Sequence, residues 1–186
     1  MKHINSTQTI LLLIVSLATS YLLLATCRYW LADFYYAKGD LGNAKKAVQL
    51  NSLEPNYRKV LGRLYTDEAI TAHELGNEIL AYEYLALADE ELELSKKFAP
   101  RNVAILKSIT NTYSDMKMVD QRYFQKEIEI LENLTRFAPT DPYSWYNMAL
   151  AYTEIGEKDK ARSLLKNALD LKPDYEKAQT LLKYLQ

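Results

Sequence analysis

The chain has 186 residues, with 23 basic and 24 acidic side chains, one cysteine and two histidines. A single cysteine excludes a disulfide framework, and a net charge of −1 gives no electrostatic footprint for nucleic acid. Five glycines and five prolines leave too few turn signals for an all-β sandwich or barrel, so the chain is expected to be all-α.

The first element is a run without charge, ILLLIVSLATSYLLLATC, from Ile10 to Cys27. At a rise of about 1.5 Å per residue it approaches the thickness of a bilayer core. Arg28, Tyr29 and Trp30 follow it directly, a composition suited to the place where a helix leaves the membrane. Residues 1–27 are therefore read as an uncleaved membrane anchor, longer than the apolar core of an ordinary secretory signal. Other readings stay open. Leu24-Ala25-Thr26-Cys27 resembles the lipobox of bacterial lipoproteins, which makes Cys27 a candidate for lipidation, although Thr26 departs from the small residues usual there. A cleaved signal, or a helix buried in a larger complex, is also compatible.

All 24 acidic residues, and all but Lys2 of the basic ones, lie beyond residue 27, so residues 28–186 form a separate, mildly acidic body. Arg28, Lys38, Lys45 and Lys46 follow the run and favour an internal body by the positive-inside rule. A short amino-terminal tail before a single apolar run favours the opposite.

The body repeats itself. A bulky apolar residue, a small one and a tyrosine three positions later recur as Leu31-Ala32 with Tyr35, Leu61-Gly62 with Tyr65, Ile109-Thr110 with Tyr113, and Met148-Ala149 with Tyr152. Each motif is followed by a second helical segment and then by Pro55, Pro100, Pro139 or Pro173. Beside these prolines stand Asn56, Asn102, Asp141 and Asp174, whose side chains can accept hydrogen bonds from the free amides of a new helix. Pro142 is placed as a first-turn proline. The second pair is the longest, with a turn expected near Leu75-Gly76-Asn77, and the third should break near Val119-Asp120.

The segment from Asp141 to Tyr175 closely resembles a tetratricopeptide repeat. Trp145, Met148, Ala149, Tyr152, Gly156, Ala161, Leu165, Ala168 and Pro173 all fall at that family's spacing. Trp145, Met148, Ala149 and Tyr152 share one helix face, and Gly156 suits the tight turn before the answering stripe. The resemblance implies a right-handed superhelical array of about four helix pairs. Residues 176–186 would cap it, covering an apolar face that otherwise needs a neighbouring repeat.

Catalytic chemistry is not legible. His3, His73 and Cys27 cannot together supply a nucleophile with its base, or a His/Cys metal site, and the five glycines do not cluster into a phosphate loop. No cofactor, metal or nucleic acid is expected, and the chain is read as non-enzymatic. The acidic run Asp89-Glu90-Glu91-Leu92-Glu93 reads as a solvated helix face. Among the fifteen tyrosines, Tyr29, Tyr36, Tyr143 and Tyr146, with Leu150, fall at offsets that face the concave groove in tetratricopeptide arrays. Tyrosine offers flat contact area and a hydroxyl at low entropy cost, so these residues are candidates to bind a protein or peptide. Repeat packing and an interfacial belt are the competing explanation.

The order of apolar run, RYWLADFYYAKGD and helical repeats also resembles the carboxyl-terminal tail of O-antigen ligase-like membrane proteins. That resemblance implies a scaffold in envelope polysaccharide assembly with its body on the outer face of the membrane. It carries no activity, because the other transmembrane helices and the catalytic loop are absent from the sequence. An accessory or truncated piece of a glycan-transfer enzyme, and a tetratricopeptide lipoprotein, remain the alternatives.

Overall fold

A computed structural model describes residues 6–185, with side chains from residue 9 onward. Lys2, His3 and Gln186 lie outside the described residues. Those residues form nine α-helices and no strand: α1 Ser6–Tyr36, α2 Leu41–Leu50, α3 Pro55–Glu74, α4 Glu78–Phe98, α5 Val103–Val119, α6 Tyr123–Phe137, α7 Pro142–Glu154, α8 Lys158–Leu171 and α9 Glu176–Tyr184. Each helix packs on its successor, and α3 also packs on α5. The expected four pairs and cap are present.

The second, third and fourth pairs close at the expected turns. Gly39, Gly76 and Gly156 take φ of 73°, 75° and 79° inside the first, second and fourth pairs, a conformation that glycine adopts without a Cβ penalty. The third pair has no such glycine. There Asp120 turns the chain, its Oδ1 accepting a 3.0 Å hydrogen bond from the Arg122 amide. With 20 and 21 residues against 13 and 14, α3 and α4 are about two turns longer than α7 and α8.

Two of the four expected caps are in place. Asn102 accepts from the Ile105 amide at 3.1 Å and Asp141 from the Ser144 amide at 3.1 Å. The other two expectations fail. Pro55 occupies the first position of α3, so the preceding residue is the cap, and Glu54 accepts from the Asn56 amide at 3.1 Å. At α9 the N-cap is Tyr175 rather than Asp174, and no side chain caps the helix.

Small residues let the helices approach. Ala32, Ala47, Ala69, Ala81, Ala88, Ala149, Ala161, Ala168 and Ala178 are fully buried, and Ile109, Leu92, Leu131 and Leu165 fill the space between them. The core runs from Ala32 to Ala151, and a second cluster joins Ala149 to Ala161, Leu165, Ala168, Tyr175 and Ala178. Helix α7 divides the two, with Ala151 on one side, Ala149 on the other, and Tyr152 bordering both. Buried Ser95 donates from Oγ to the Pro55 carbonyl at 2.8 Å, tying the end of α4 to the start of α3.

The acidic run on α4 is a solvated face only at Glu90, which is exposed; its other three carboxylates face neighbouring helices. Asp89 accepts from the Tyr113 hydroxyl at 2.9 Å and pairs with Lys126 at 2.5 Å, while Glu93 accepts from the same hydroxyl at 3.0 Å and pairs with Lys96 at 2.8 Å. Glu91 pairs with Arg58 of α3 at 2.6 Å, and both side chains are largely buried. Burial raises the Glu91 carboxyl above the usual range against the opposing pull of Arg58. Burial would also raise Glu93, but Lys96, Lys126 and Tyr113 together hold it below that range. These carboxylates stitch α4 to α3, α5 and α6.

Candidate functional site

The carboxyl-terminal end gathers three tyrosines. Tyr143 and Tyr146, one turn apart on α7, both lean on Tyr175, with ring centroids 5.2 Å and 5.0 Å from its ring. Tyr175 itself is buried, placed by the turn that carries the chain from α8 into α9. Lys172 stands over the rings of Tyr143 and Tyr175, 5.2 Å from each centroid, and donates from Nζ to the Tyr143 hydroxyl at 3.1 Å. A cation over aromatic faces is attracted by their quadrupoles and in turn fixes the ring orientation. Burial, then Tyr146, Tyr143 and Asp141, push the Tyr175 hydroxyl up to about 12.

Two clefts flank this cluster. One, of about 610 Å³, lies between α7 and α9 and is lined by Tyr146, Glu176, Lys177, Thr180, Leu181 and Tyr184. The other, of about 380 Å³, is lined by Tyr143, Lys172, Tyr175 and the start of α9. Tyr143 remains 47% exposed and Tyr184 77%, so the aromatic surface is available to a ligand. Leu150, 39% exposed on the same α7 face, lines a smaller cleft of about 150 Å³ with Asn111, Ser114 and Glu154.

Lys107 of α5 supports the site from behind by an ion pair with Asp141 at 2.8 Å. Burial would raise the Asp141 carboxyl, but Lys107 and Ser144 hold it below its usual value. The start of α7, and with it Tyr143, is thus pinned to the preceding pair.

The other two candidate tyrosines lie elsewhere. Tyr36 is half-buried and leans on Tyr57 of α3, centroids 5.0 Å apart, so its ring is engaged in packing between the first two pairs. Tyr29 is 56% exposed on α1 and faces the α2–α3 loop across a separate cleft. Cys27 is exposed on α1. Of the repeat signature, Ala149, Ala161 and Ala168 are fully buried, and Trp145 donates from Nε1 to the Pro139 carbonyl at 2.8 Å. His73 is a partly exposed residue near the α3–α4 turn, within 2.9 Å of Glu78. Among the described residues no group of three or more His, Cys, Asp or Glu side chains is placed to hold a metal.

The amino-terminal end differs in kind. From Thr9 to Tyr36, α1 is long and apolar enough by length and composition to cross a membrane. Every large apolar side chain from Ile10 to Leu24 is more than half exposed.

Residues 142–181 match the tetratricopeptide repeat family model. No curated protein sequence matches the chain. Among solved structures, the crystal structure of MamA protein is similar with a TM-score of 0.61 and 19% identity, over 87% of this chain and 80% of that one. A MamA structure beginning at residue 41, from Desulfovibrio magneticus RS-1, gives 0.58 and 18%, over 87% and 82%. YrrB, described as a TPR protein with an unusual peptide-binding site, gives 0.56 and 18%, over 86% and 74%. The carboxyl-terminal part of the chain is therefore a tetratricopeptide repeat, and the described chain has the fold of tetratricopeptide-repeat proteins.

Proposed function

We propose that the chain is a membrane-tethered, non-enzymatic scaffold that presents the tyrosine-lined end of its repeat array to a protein or peptide. The observation that carries the tether is the unbroken exposure of the side chains from Ile10 to Leu24 around a helix that runs on into the first repeat. A helix apolar on all sides is stable when buried in protein or in lipid, and among the described residues only the α2–α3 loop approaches this one, beside Ala25.

The ligand end rests on Tyr143, Tyr146, Tyr175 and Lys172. Their rings are already held by one another, so a bound segment gains contact without first ordering flexible side chains. Repeat arrays offer extended concave surfaces of this kind, and YrrB provides a peptide-binding precedent on a similar fold. The envelope-polysaccharide setting and an outward-facing body are supported by the sequence resemblance to O-antigen ligase-like tails.

Crosslinking in native membranes, followed by mass spectrometry, tests the ligand end. The wild-type chain is compared with a variant carrying Tyr143→Ala and Tyr184→Ala, two exposed positions whose loss should leave helicity unchanged. Recovery of the same partners at the same yield from both proteins would remove this end from the proposal.

A further inference from the structure

The α2–α3 loop does not clear the apolar run; it overlaps it. Among residues 9–30 only Ala25 is half-buried, every other side chain being exposed. Beside Ala25 lies a cleft of about 390 Å³, walled on one side by Tyr21, Leu24, Ala25, Arg28 and Tyr29 and on the other by Leu50, Asn51, Ser52 and Leu53. Arg28 locks this register. Its Nε donates to the Leu50 carbonyl and its Nη2 to the Gln49 carbonyl at 3.3 Å. These are terminal carbonyls of α2, left without intrahelical donors at the negative end of the helix dipole, so an arginine there is doubly suited.

The consequence is one of depth. Ala25 precedes Arg28 by three residues and Leu24 by four, about 5 Å and 6 Å along the helix axis. If the charge-free run occupies hydrocarbon, whatever lies against Leu24 and Ala25 sits at the hydrocarbon edge. The loop has the composition for that depth, with polar Asn51 and Ser52 followed by Leu53, an apolar side chain 67% exposed. Tyr29 and Trp30, 56% and 68% exposed, follow on α1 about 6 and 8 Å beyond Ala25 along the axis and are the residue types that settle among lipid headgroups.

We propose that the Asn51–Leu53 loop is a second membrane contact, with Leu53 entering the boundary between headgroups and acyl chains while α1 spans. The occupant is lipid because one wall of the cleft is the membrane-crossing segment itself, so the loop surface continues the surface that α1 presents to the bilayer. This inference rests on the tether proposed above. A helix alone would leave the body free to lean; the added contact fixes its tilt.

The test uses the full chain with Cys27→Ser and Ser52→Cys, labelled at position 52 with an environment-sensitive fluorophore and reconstituted in vesicles of phosphatidylcholine and phosphatidylglycerol. A control carries the label at Leu75→Cys, which is 80% exposed at the far end of the 20-residue α3, about 30 Å away. Flotation reports the tether independently of the label. The expected result is that both proteins float, that nitroxide-bearing lipid quenches the label at 52 and not at 75, and that Leu53→Glu abolishes the quenching while flotation persists. If the proteins float but iodide in the water quenches both positions equally, the loop contact is wrong and the tether stands. A label at 52 shielded from iodide yet untouched by lipid nitroxide overturns the lipid assignment in favour of a covering protein. Failure to float overturns the tether and this contact with it.

Discussion

Gly62 of α3 and Leu92 of α4 meet where no side chain would fit. A methyl group at Gly62 would lie 2.8 Å from Leu92 Cδ2 and 3.2 Å from the Ala88 carbonyl oxygen. Leu92 is fully buried and Ala88 presents backbone, so neither can step aside cheaply. Gly62→Ala should therefore lower stability by about 1–2 kcal/mol, even after the helix-propensity gain of alanine over glycine. Thermal denaturation of the variant reads this directly, and a raised midpoint would mean that α4 can retreat from α3.

Lys117 joins three helices. Its ammonium pairs with Glu127 at 2.9 Å and with Glu154 at 2.5 Å, and the Lys117 and Glu127 side chains are only 12% and 8% exposed. Replacing Lys117 by methionine leaves a buried carboxylate without its cation and should cost about 3 kcal/mol near neutral pH. Burial already raises the Glu127 carboxyl against the pull of Lys117, and the substitution raises it further. A raised folded-state value favours the native state where the carboxyl is protonated and loses that advantage as pH rises through it. The deficit of the variant should thus shrink on acidification into the carboxylate range, measured by urea denaturation at several pH values.

The buried Tyr113 hydroxyl is shared between Asp89 and Glu93. Tyr113→Phe removes a donor from two carboxylates and should cost about 2 kcal/mol, the scale of a hydrogen bond to a charged group. Burial, and then the charges of Asp89 and Glu93, raise its hydroxyl well above the ordinary tyrosine value. In an alkaline absorbance titration Tyr113 should stay protonated through the ordinary tyrosine range until the protein unfolds, and the wild-type and Tyr113→Phe proteins should give equal phenolate signals before that point.

Asp141 has the opposite sign. Although burial acts to raise it, Lys107 and Ser144 hold it below its ordinary value. Its contribution is then complete above the unfolded-state value of about 3.9 and is lost as pH falls through the lower folded-state value. Asp141→Ala should remove about 1 kcal/mol of capping stability at neutral pH. Asp141→Asn should keep most of the cap while flattening the acid limb of the stability profile.

The sequence made the array legible wherever the information was local. Proline before a capping side chain marked Asn102 and Asp141, the spacing of Ala149, Ala161 and Ala168 marked the close contacts, and the distance from Pro55 to Pro100 announced the long second pair. Asn56 misled because Pro55 can itself be the first helical residue, which moves the cap back to Glu54. The acidic run misled because its partners, Arg58 and Lys126, lie 33 and 37 residues away on other helices, beyond any local pattern. The same holds for the candidate site. Tyr143 and Tyr146 could be paired by helical spacing, but Tyr175, which joins them, comes from the turn after α8 and follows Pro173 by two residues without a helical period to announce it. Tyr29 has the same offset from its motif as Tyr146, and Tyr36 is expected on the same groove face, but the Tyr36 ring meets Tyr57 instead.

Helix α1 contains neither glycine nor proline from Ser6 to Tyr36 and continues into the first pair without a break. Sharp kinks need such residues or an inserted group, so this shaft has no built-in swivel. A tether made of flexible linker is a leash, whose binding site sweeps a volume set by its length. A tether made of uninterrupted helix, as proposed for α1, is a bracket: turning α1 about its axis turns the whole array, and the cleft between α7 and α9 keeps one height and one heading relative to the shaft. Lengthening the shaft by a single residue would rotate that heading by about 100°, so insertions after Cys27 should alter partner capture with a helical periodicity, while equal lengths added beyond α9 should not.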